Sequence, residues 1–224
     1  MGHFYFVRHG ESLWNVANKI CGATDIPLTD KGVEQARMTA ETLRKEGIHA
    51  DMIIASPLLR AADTAHEISR LCGIPMRTDE RLKEQCFGRY EGTARDGREF
   101  HEAKKCFADR YDGGESMFQT AHRVYGLLDE ITSQEDVVYI LVAHNGLARI
   151  IQSYFTSMTN EEFASYGIAN CAIKRFDYCL AALKTDIKKG IRADTLSSVD
   201  TVDSITSRLS DRWNPFQRQE CFRL

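Results

Sequence analysis

The stretch Phe4-Tyr5-Phe6-Val7-Arg8-His9-Gly10-Glu11-Ser12 decides the fold. Its first four residues are aromatic or β-branched, which predicts a buried strand. The strand ends at Arg8 and His9, and α/β proteins bind ligands at the carboxyl edge of their sheets. An arginine fork suits phosphate oxygens, and a neutral imidazole can hold a phosphoryl group covalently. Because a lone histidine at a strand end is more often structural, the stretch by itself only suggests phosphoryl transfer.

The composition is that of a globular protein with a single substantial core. The chain has 224 residues, of which 43% are hydrophobic, and its net charge is −3. A chain this close to neutrality has no general attraction for nucleic acid or for an anionic membrane. No uninterrupted apolar run reaches membrane-spanning length. We therefore expect neither nucleic acid nor a membrane as a partner.

The cysteines indicate the compartment. There are seven, with neither C-x-x-C spacing nor pairing with histidines at zinc-ligand intervals. The N-terminal residues show no charged segment followed by an apolar one, as a secretory signal would. The sequence predicts a cytoplasmic protein with reduced thiols and no metal site.

Strand and helix signals alternate along the chain. Apolar β-branched runs at 51–55 and 137–142 predict further strands, the second of them central, and 172–177 resembles an edge strand. Helices are expected from Thr29, after Pro57, from Ser116 and from about Leu147. This order predicts an α/β fold: a three-layer α/β/α sandwich with a mostly parallel central sheet and helices on both faces.

Two parts of the chain depart from that alternation. Residues 85–114 are charged and glycine-containing, and we interpret them as an irregular, partly helical lid within a catalytic domain of residues 1–184. Residues 185–224 are polar, yet Val199, Val202, Ile205, Leu209 and Trp213 share one helical stripe. We expect a C-terminal extension with one amphipathic helix, which docks on the core or forms a homodimer.

Four polar side chains stand where predicted strands end. Arg8 and His9 follow the first strand, Arg60 begins the helix behind the second, and His144 follows the central one. In a parallel sheet all four reach the same edge. Together they would form a cationic cup for a dianionic phosphate.

The chain resembles the histidine phosphatase superfamily, the phosphoglycerate-mutase-like proteins. The matching stretches follow the family's order and cover roughly residues 3 to 178. They are Phe6-Val7-Arg8-His9-Gly10-Glu11-Ser12 with Asn15, Asp25-Ile26-Pro27-Leu28-Thr29 with Gly32, Ser56-Pro57-Leu58-Leu59-Arg60-Ala61 with Thr64, Glu84 with Gly88-Arg89-Tyr90-Glu91-Gly92, and Val142-Ala143-His144-Asn145-Gly146.

The resemblance implies a role for each matching residue. His9 would be the nucleophile that forms a phosphohistidine, kept neutral by neighbouring cations. Arg8, Arg60 and His144 would bind the phosphoryl oxygens, and Glu84 would be the general acid and then the base. Lesser substrate contacts are expected from Asn15, Cys21, Gly22 and Asn145, although for Cys21 we favour a small buried thiol over a substrate contact. Positive charge from arginine and imidazolium makes a metal unnecessary.

Three functions remain open at this stage. Water can accept the phosphoryl group, which gives a phosphomonoesterase acting on a small-molecule phosphomonoester. A phosphoglycerate can accept it, which gives a mutase that needs 2,3-bisphosphoglycerate as cofactor. The third is a noncatalytic phosphate-binding or protein-interaction module on the same fold. Gln85 stands where the family's mutases have an arginine, and Lys104-Lys105 is expected to be a solvated pair, so we favour the phosphatase.

Overall fold

The computed structural model describes residues 1–179 and contains a five-stranded sheet. Strands β1 (Gly2–Arg8), β2 (Met52–Ala55), β3 (Met76–Thr78), β4 (Tyr139–Ala143) and β5 (Ile173–Tyr178) lie in the order β3-β2-β4-β1-β5. The pairs β3/β2, β2/β4 and β4/β1 are parallel, and β5 runs antiparallel to β1 at the edge. The predicted central strand is β4 and the predicted edge strand is β5, so the mostly parallel sheet is as expected. The sequence did not predict the antiparallel direction of β5.

Helices cover both faces of this sheet. They are α1 (Leu13–Val16), α2 (Asp30–Lys45), α3 (Leu59–Cys72), α4 (Arg98–Ala103), α5 (Met117–Thr132), α6 (Asn145–Phe155) and α7 (Asn160–Ser165). Thr29 and Ser116 are the N-caps of α2 and α5, as predicted. Gly73, in the left-handed conformation, ends α3. No helix within residues 1–179 is long and apolar enough to cross a membrane.

The alternation of side chains along β1 builds two separate cores. Phe4 and Phe6 pack with the apolar residues of α5 and α6, whereas Tyr5 and Val7 pack with those of α2 and α3. All four are buried. Because successive strand residues point to opposite faces, a strand that is apolar throughout requires helices on both sides. The predicted three-layer arrangement is confirmed.

Residues 85–114 form an irregular excursion, as expected. It holds a 3-10 turn (Gly88–Tyr90) and α4, and it has a small apolar cluster of its own, in which Phe100 and Tyr111 pack with Ile20. The predicted extension 185–224 and its apolar stripe lie outside the described residues, so the domain boundary stays a prediction.

The register of the parallel strands determines where the site forms. Arg8 is opposite Ala143, and the backbone N–H groups of His9 and Ser56 donate to the carbonyls of Ala143 and Val142, each at 2.9 Å. The strand exits that carry His9, Ser56 and His144 therefore lie side by side at one edge of the sheet.

Candidate active site

One cavity of about 130 Å³ lies at this edge. Six of the predicted site residues line it: Arg8, His9, Asn15, Cys21, Glu84 and Asn145. The pKa of the Cys21 thiol is raised mainly by burial. Arg60 and His144 lie next to it, since the His144 ring is 5.2 Å from the His9 ring and the Arg60 charge acts on both imidazoles.

His9 is held in one orientation with one ring nitrogen free. Its Nδ1 is 2.7 Å from the carbonyl oxygen of Gly10, an acceptor, so Nδ1 carries the proton and Nε2 keeps its lone pair. The ring is 5% exposed, and the pKa of His9 lies well below the ordinary value. Burial is the larger cause and the charges of Arg60 and Arg8 come second, whereas the sequence argument invoked only the charges. The His9 imidazole is therefore neutral at physiological pH, and its Nε2 has a free lone pair.

Arg8 and Arg60 bring positive charge to the cavity and are held by backbone carbonyls. Arg8 Nη1 donates to the carbonyl of Ile168 at 2.7 Å, and Arg60 donates to those of Gly22 and Thr24 at 2.7 and 3.0 Å. The Nε atoms of both arginines are buried, and neither has a hydrogen-bond partner in the described part of the chain. Burial lowers the pKa of Arg8 to about 10, so it is still charged near neutrality.

His144 differs from its expected role as an imidazolium. It is fully buried, and burial, followed by the charge of Arg60, moves its pKa well below the ordinary value, so the ring is neutral. Its Nε2 lies 2.8 Å from Ser56 Oγ, and its Nδ1 is buried with no hydrogen-bond partner among residues 1–179. Ser56 Oγ already accepts from the N–H of Leu58, which leaves its own proton for Nε2. His144 can then offer an Nδ1–H donor instead of a positive charge.

Glu84 is placed by backbone amides. Its carboxylate accepts from the N–H of Gly146 at 2.9 Å and from that of Gln85 at 3.0 Å, and the residue is 6% exposed. Arg123 supports the same segment because its guanidinium donates to the carbonyls of Arg81, Lys83 and Glu84. Arg123 in turn pairs with Glu115. The sequence does not reveal this support, because Arg123 lies within a long helix and belongs to no motif.

Gly22 does not line the cavity but lies in the loop whose carbonyls hold Arg60. A Cβ at Gly22 would lie 2.4 Å from the carbonyl oxygen of Gln85 and from Glu91 Oε1, so no larger residue fits. The Glu91 carboxylate accepts from the N–H groups of Ala23, Thr24 and Phe87 and from the Thr24 hydroxyl. Glu91 thus clamps the loop whose carbonyls hold Arg60. The substrate contact expected of Gly22 stays a prediction, and the structure adds this indirect role.

Asn15 and Asn145 each have a side-chain oxygen that is already engaged. Asn15 Oδ1 accepts from the N–H of Ser12 and from Asn170, and Asn145 Oδ1 accepts from the N–H of Ile168. Each amide therefore has its NH₂ group left for a substrate oxygen. Asn170 also donates to the carbonyl of His9 at 2.8 Å. The sequence argument did not identify Asn170, which precedes β5 in a segment without a motif.

Comparison with known proteins assigns the family. Residues 4–182 match the model of the histidine phosphatase superfamily, branch 1. The chain belongs to this superfamily. It is 34% identical over 182 residues to a protein of Yersinia pestis named probable phosphoglycerate mutase GpmB, covering 78% of this chain and 84% of that protein.

Solved structures of the superfamily have the same fold. A mycobacterial glucosyl-3-phosphoglycerate phosphatase in complex with VO₃ has a TM-score of 0.69 and 28% identity over 78% of this chain and 92% of the other. A structure described as a putative α-ribazole-5′-P phosphatase from Escherichia coli has a TM-score of 0.70, covering 80% and 92%. Its identity of 21% supports the fold alone. Proteins named mutase and phosphatase are thus both among the relatives, and membership by itself does not choose between the two activities.

Proposed function

We propose that this protein is a phosphomonoester hydrolase that works through a phosphohistidine on His9. The observation that carries the proposal is the neutral His9 ring, whose free Nε2 is at a cavity also lined by Arg8 and Glu84. Nε2 attacks phosphorus and the P–O bond to the leaving alkoxide breaks. Glu84 gives its proton to that oxygen.

The second half of the reaction returns the enzyme to its starting state. Water attacks the phosphorus of phosphohistidine, Glu84 accepts a proton from it, and the N–P bond breaks to release phosphate. Arg8, Arg60 and the Nδ1–H of His144 hold the phosphoryl oxygens in both steps, since charge on the transferring group is stabilised by fixed donors. The fold holds these three phosphate-binding side chains in fixed positions, which suits a reaction that depends mainly on positioning.

Hydrolysis is favoured over isomerisation by the surroundings of Glu84. Gln85, which follows it, is 2% exposed, and its amide donates to the carbonyl of Glu115. Gln85 therefore offers no positive charge for the carboxylate of a phosphoglycerate, and the other cations that line the cavity, Arg95, Lys104 and Arg149, do not directly follow Glu84 as the arginine of the family's mutases does. The mutase remains the second candidate because of the 34% identical relative with that name.

The leaving group supplies the test. Glu84→Gln should slow hydrolysis of an alkyl phosphate about 100-fold or more, and p-nitrophenyl phosphate far less, because nitrophenolate needs no proton to depart. His9→Ala should abolish both turnover and covalent labelling by ³²P-phosphate ester. Equal losses by Glu84→Gln on the two esters would contradict the role of Glu84. Rapid conversion of 3-phosphoglycerate in the presence of 2,3-bisphosphoglycerate, with little free phosphate, would favour the mutase.

A further inference from the structure

The peptide group between Gly10 and Glu11 joins the His9 ring to helix α2. Its carbonyl, on Gly10, accepts from His9 Nδ1 at 2.7 Å, and its N–H, on Glu11, donates to Gln35 Oε1 at 2.8 Å. The C=O and N–H of a trans peptide belong to one planar group and point in opposite directions. Gln35, this peptide and His9 therefore form a continuous chain of hydrogen bonds that ends at the reacting ring.

Helix α2, which carries Gln35, lies directly against this peptide. A Cβ at Gly32 would overlap the carbonyl oxygen of Glu11, so the helix backbone comes as close as only glycine allows. The N–H of Thr29, the N-cap of α2, donates to the same carbonyl at 2.9 Å. Gln35 thus acts on the peptide from a helix whose position relative to it is fixed.

The preceding peptide is held from the other side of the turn. The N–H of Gly10 donates to Thr64 Oγ1 at 3.0 Å, and this hydroxyl donates to the carbonyl of Arg60 at 2.7 Å. Thr64 is fully buried in α3. The turn after His9 is therefore fixed between α2 and α3, and Gln35 holds the peptide whose carbonyl His9 uses.

That carbonyl gains importance when His9 reacts. The Nε2 lone pair forms the N–P bond, the leaving oxygen departs with the electrons of its P–O bond, and the ring, which keeps its Nδ1 proton, becomes positive. The bond from Nδ1–H to the Gly10 carbonyl is then charge-assisted, and such bonds are about twice as strong as neutral ones. Burial and the charges of Arg60 and Arg8 lower the pKa of His9, whereas the Gly10 carbonyl raises it. The carbonyl thus favours the positive ring that phosphoryl transfer creates.

We propose that Gln35 is a positioning residue for His9: by accepting the N–H of Glu11 it holds and polarises the Gly10 carbonyl, which stabilises the positive ring during phosphoryl transfer. This role rests on the phosphohistidine mechanism proposed above and adds a residue that does not touch the substrate. Hydrogen bonds in a chain strengthen one another by about 10–30% per bond. Without Gln35 Oε1 the peptide loses both this polarisation and the bond that fixes its plane.

The test compares Gln35→Met with Gln35→Glu. Gln35 is half-buried. Methionine has a similar length and helix propensity but no accepting oxygen, whereas glutamate keeps one. The measured rate is nitrophenolate release from p-nitrophenyl phosphate in a single turnover with enzyme in excess. Because that leaving group needs no proton from Glu84, its release reports attack by His9.

We expect Gln35→Met to slow this release about tenfold, the difference between a charge-assisted and a neutral hydrogen bond, and Gln35→Glu to stay within about threefold of the wild type. Glu34→Met is the matched control, since Glu34 lies on the same helix with an exposed side chain, and it should keep the wild-type rate. Gln35→Asn, whose amide is one carbon shorter, is a second removal variant should Gln35→Met fail to fold.

NMR of protein labelled with ¹⁵N-histidine gives a readout that does not depend on turnover. The His9 Nδ1–H signal, identified by its loss in His9→Asn, should move upfield in Gln35→Met and keep its position in Gln35→Glu, because only the first weakens its acceptor. An unchanged rate or signal in Gln35→Met, or equal rate losses in the methionine and glutamate variants, would overturn the role of Gln35. If the wild type cleaves no ester while the signal moves as expected, the hydrolase function fails and the hydrogen-bond chain to His9 stands.

Discussion

Gly146→Ala tests the role of Glu84 without touching Glu84 itself. A Cβ at residue 146 would lie 2.3 Å from Glu84 Oε1 and 2.9 Å from its Cδ. Since non-bonded heavy atoms settle at about 3.5 Å, the carboxylate has to withdraw by about 1 Å. It lies at the end of a flexible side chain, so we expect the fold to accommodate the change.

The displacement should impair proton transfer selectively. A misplacement of about 1 Å can cost about 100-fold in rate, and we expect that loss for an alkyl phosphate. For p-nitrophenyl phosphate the loss should stay within about threefold, since departure of that group needs little general acid catalysis. The assay is steady-state phosphate release on both esters, with thermal unfolding recorded on the same samples.

Gly126→Ala is the matched control. Gly126 lies within α5, and a Cβ there would meet no atom within 4 Å. This variant should retain both activities and gain up to about 1 kcal/mol of stability from helix propensity. Should Gly146→Ala hydrolyse the alkyl ester at the wild-type rate, or lose both esters equally, the assignment of Glu84 as general acid would be refuted.

Three further predictions concern His9 and two residues, Glu91 and Ser56, that position other side chains of the site. Glu91→Ala should release the loop that holds Arg60, and the resulting misplacement of Arg60 should lower kcat/KM about 10- to 100-fold. Glu99→Ala removes a carboxylate from an exposed surface pair and should leave kcat/KM unchanged. Equal kinetics of the two variants would exclude the clamp by Glu91. Ser56→Ala should destabilise the fold by about 1–3 kcal/mol in urea unfolding, because His144 Nε2 loses its buried partner; an unchanged midpoint would contradict this. The pKa of His9 lies below its ordinary value, so below pH 6.5 the unfolded chain takes up a proton at His9 that the folded chain does not, and stability falls by up to about 1.4 kcal/mol per pH unit. His144, whose pKa is lowered as well, contributes a slope of its own. His9→Asn should therefore reduce the slope of the unfolding free energy between pH 6.5 and 5.5 by up to that amount without abolishing it; an unchanged slope would count against this.

The sheet was predictable where burial dictates the residue types. The runs at β1 and β4 are apolar throughout because both faces are covered, and the sequence shows this directly. Strand β3 gave no such signal, since Met76, Arg77 and Thr78 are mostly exposed and pair with β2 through the backbone. The sequence does carry a signal for helix α7, since Thr159 and Glu162 have the spacing of a capping box and form one in the structure.

The candidate site, like the sheet, was predictable only in part. Arg8, His9 and His144 follow apolar strands, so their meeting at one edge is a consequence of parallel pairing. Lys104 and Arg149 lie on helices, where sequence spacing does not distinguish a side chain facing solvent from one facing a cavity. Only the packing of α4 and α6 around the site reveals them.

The arginines of this site share one means of support, and it bears on what they can bind. Backbone carbonyls orient Arg8, Arg60, Arg95 and Arg149, whereas the surface arginine Arg175 pairs with Asp177. A carboxylate partner would neutralise the charge and compete with a phosphate for the same donors. A carbonyl fixes the geometry and leaves the full positive charge in place. An anionic ligand would relieve the repulsion among these groups, so the free energy of its binding would come from charges that the fold holds in position, as preorganised electrostatic stabilisation requires.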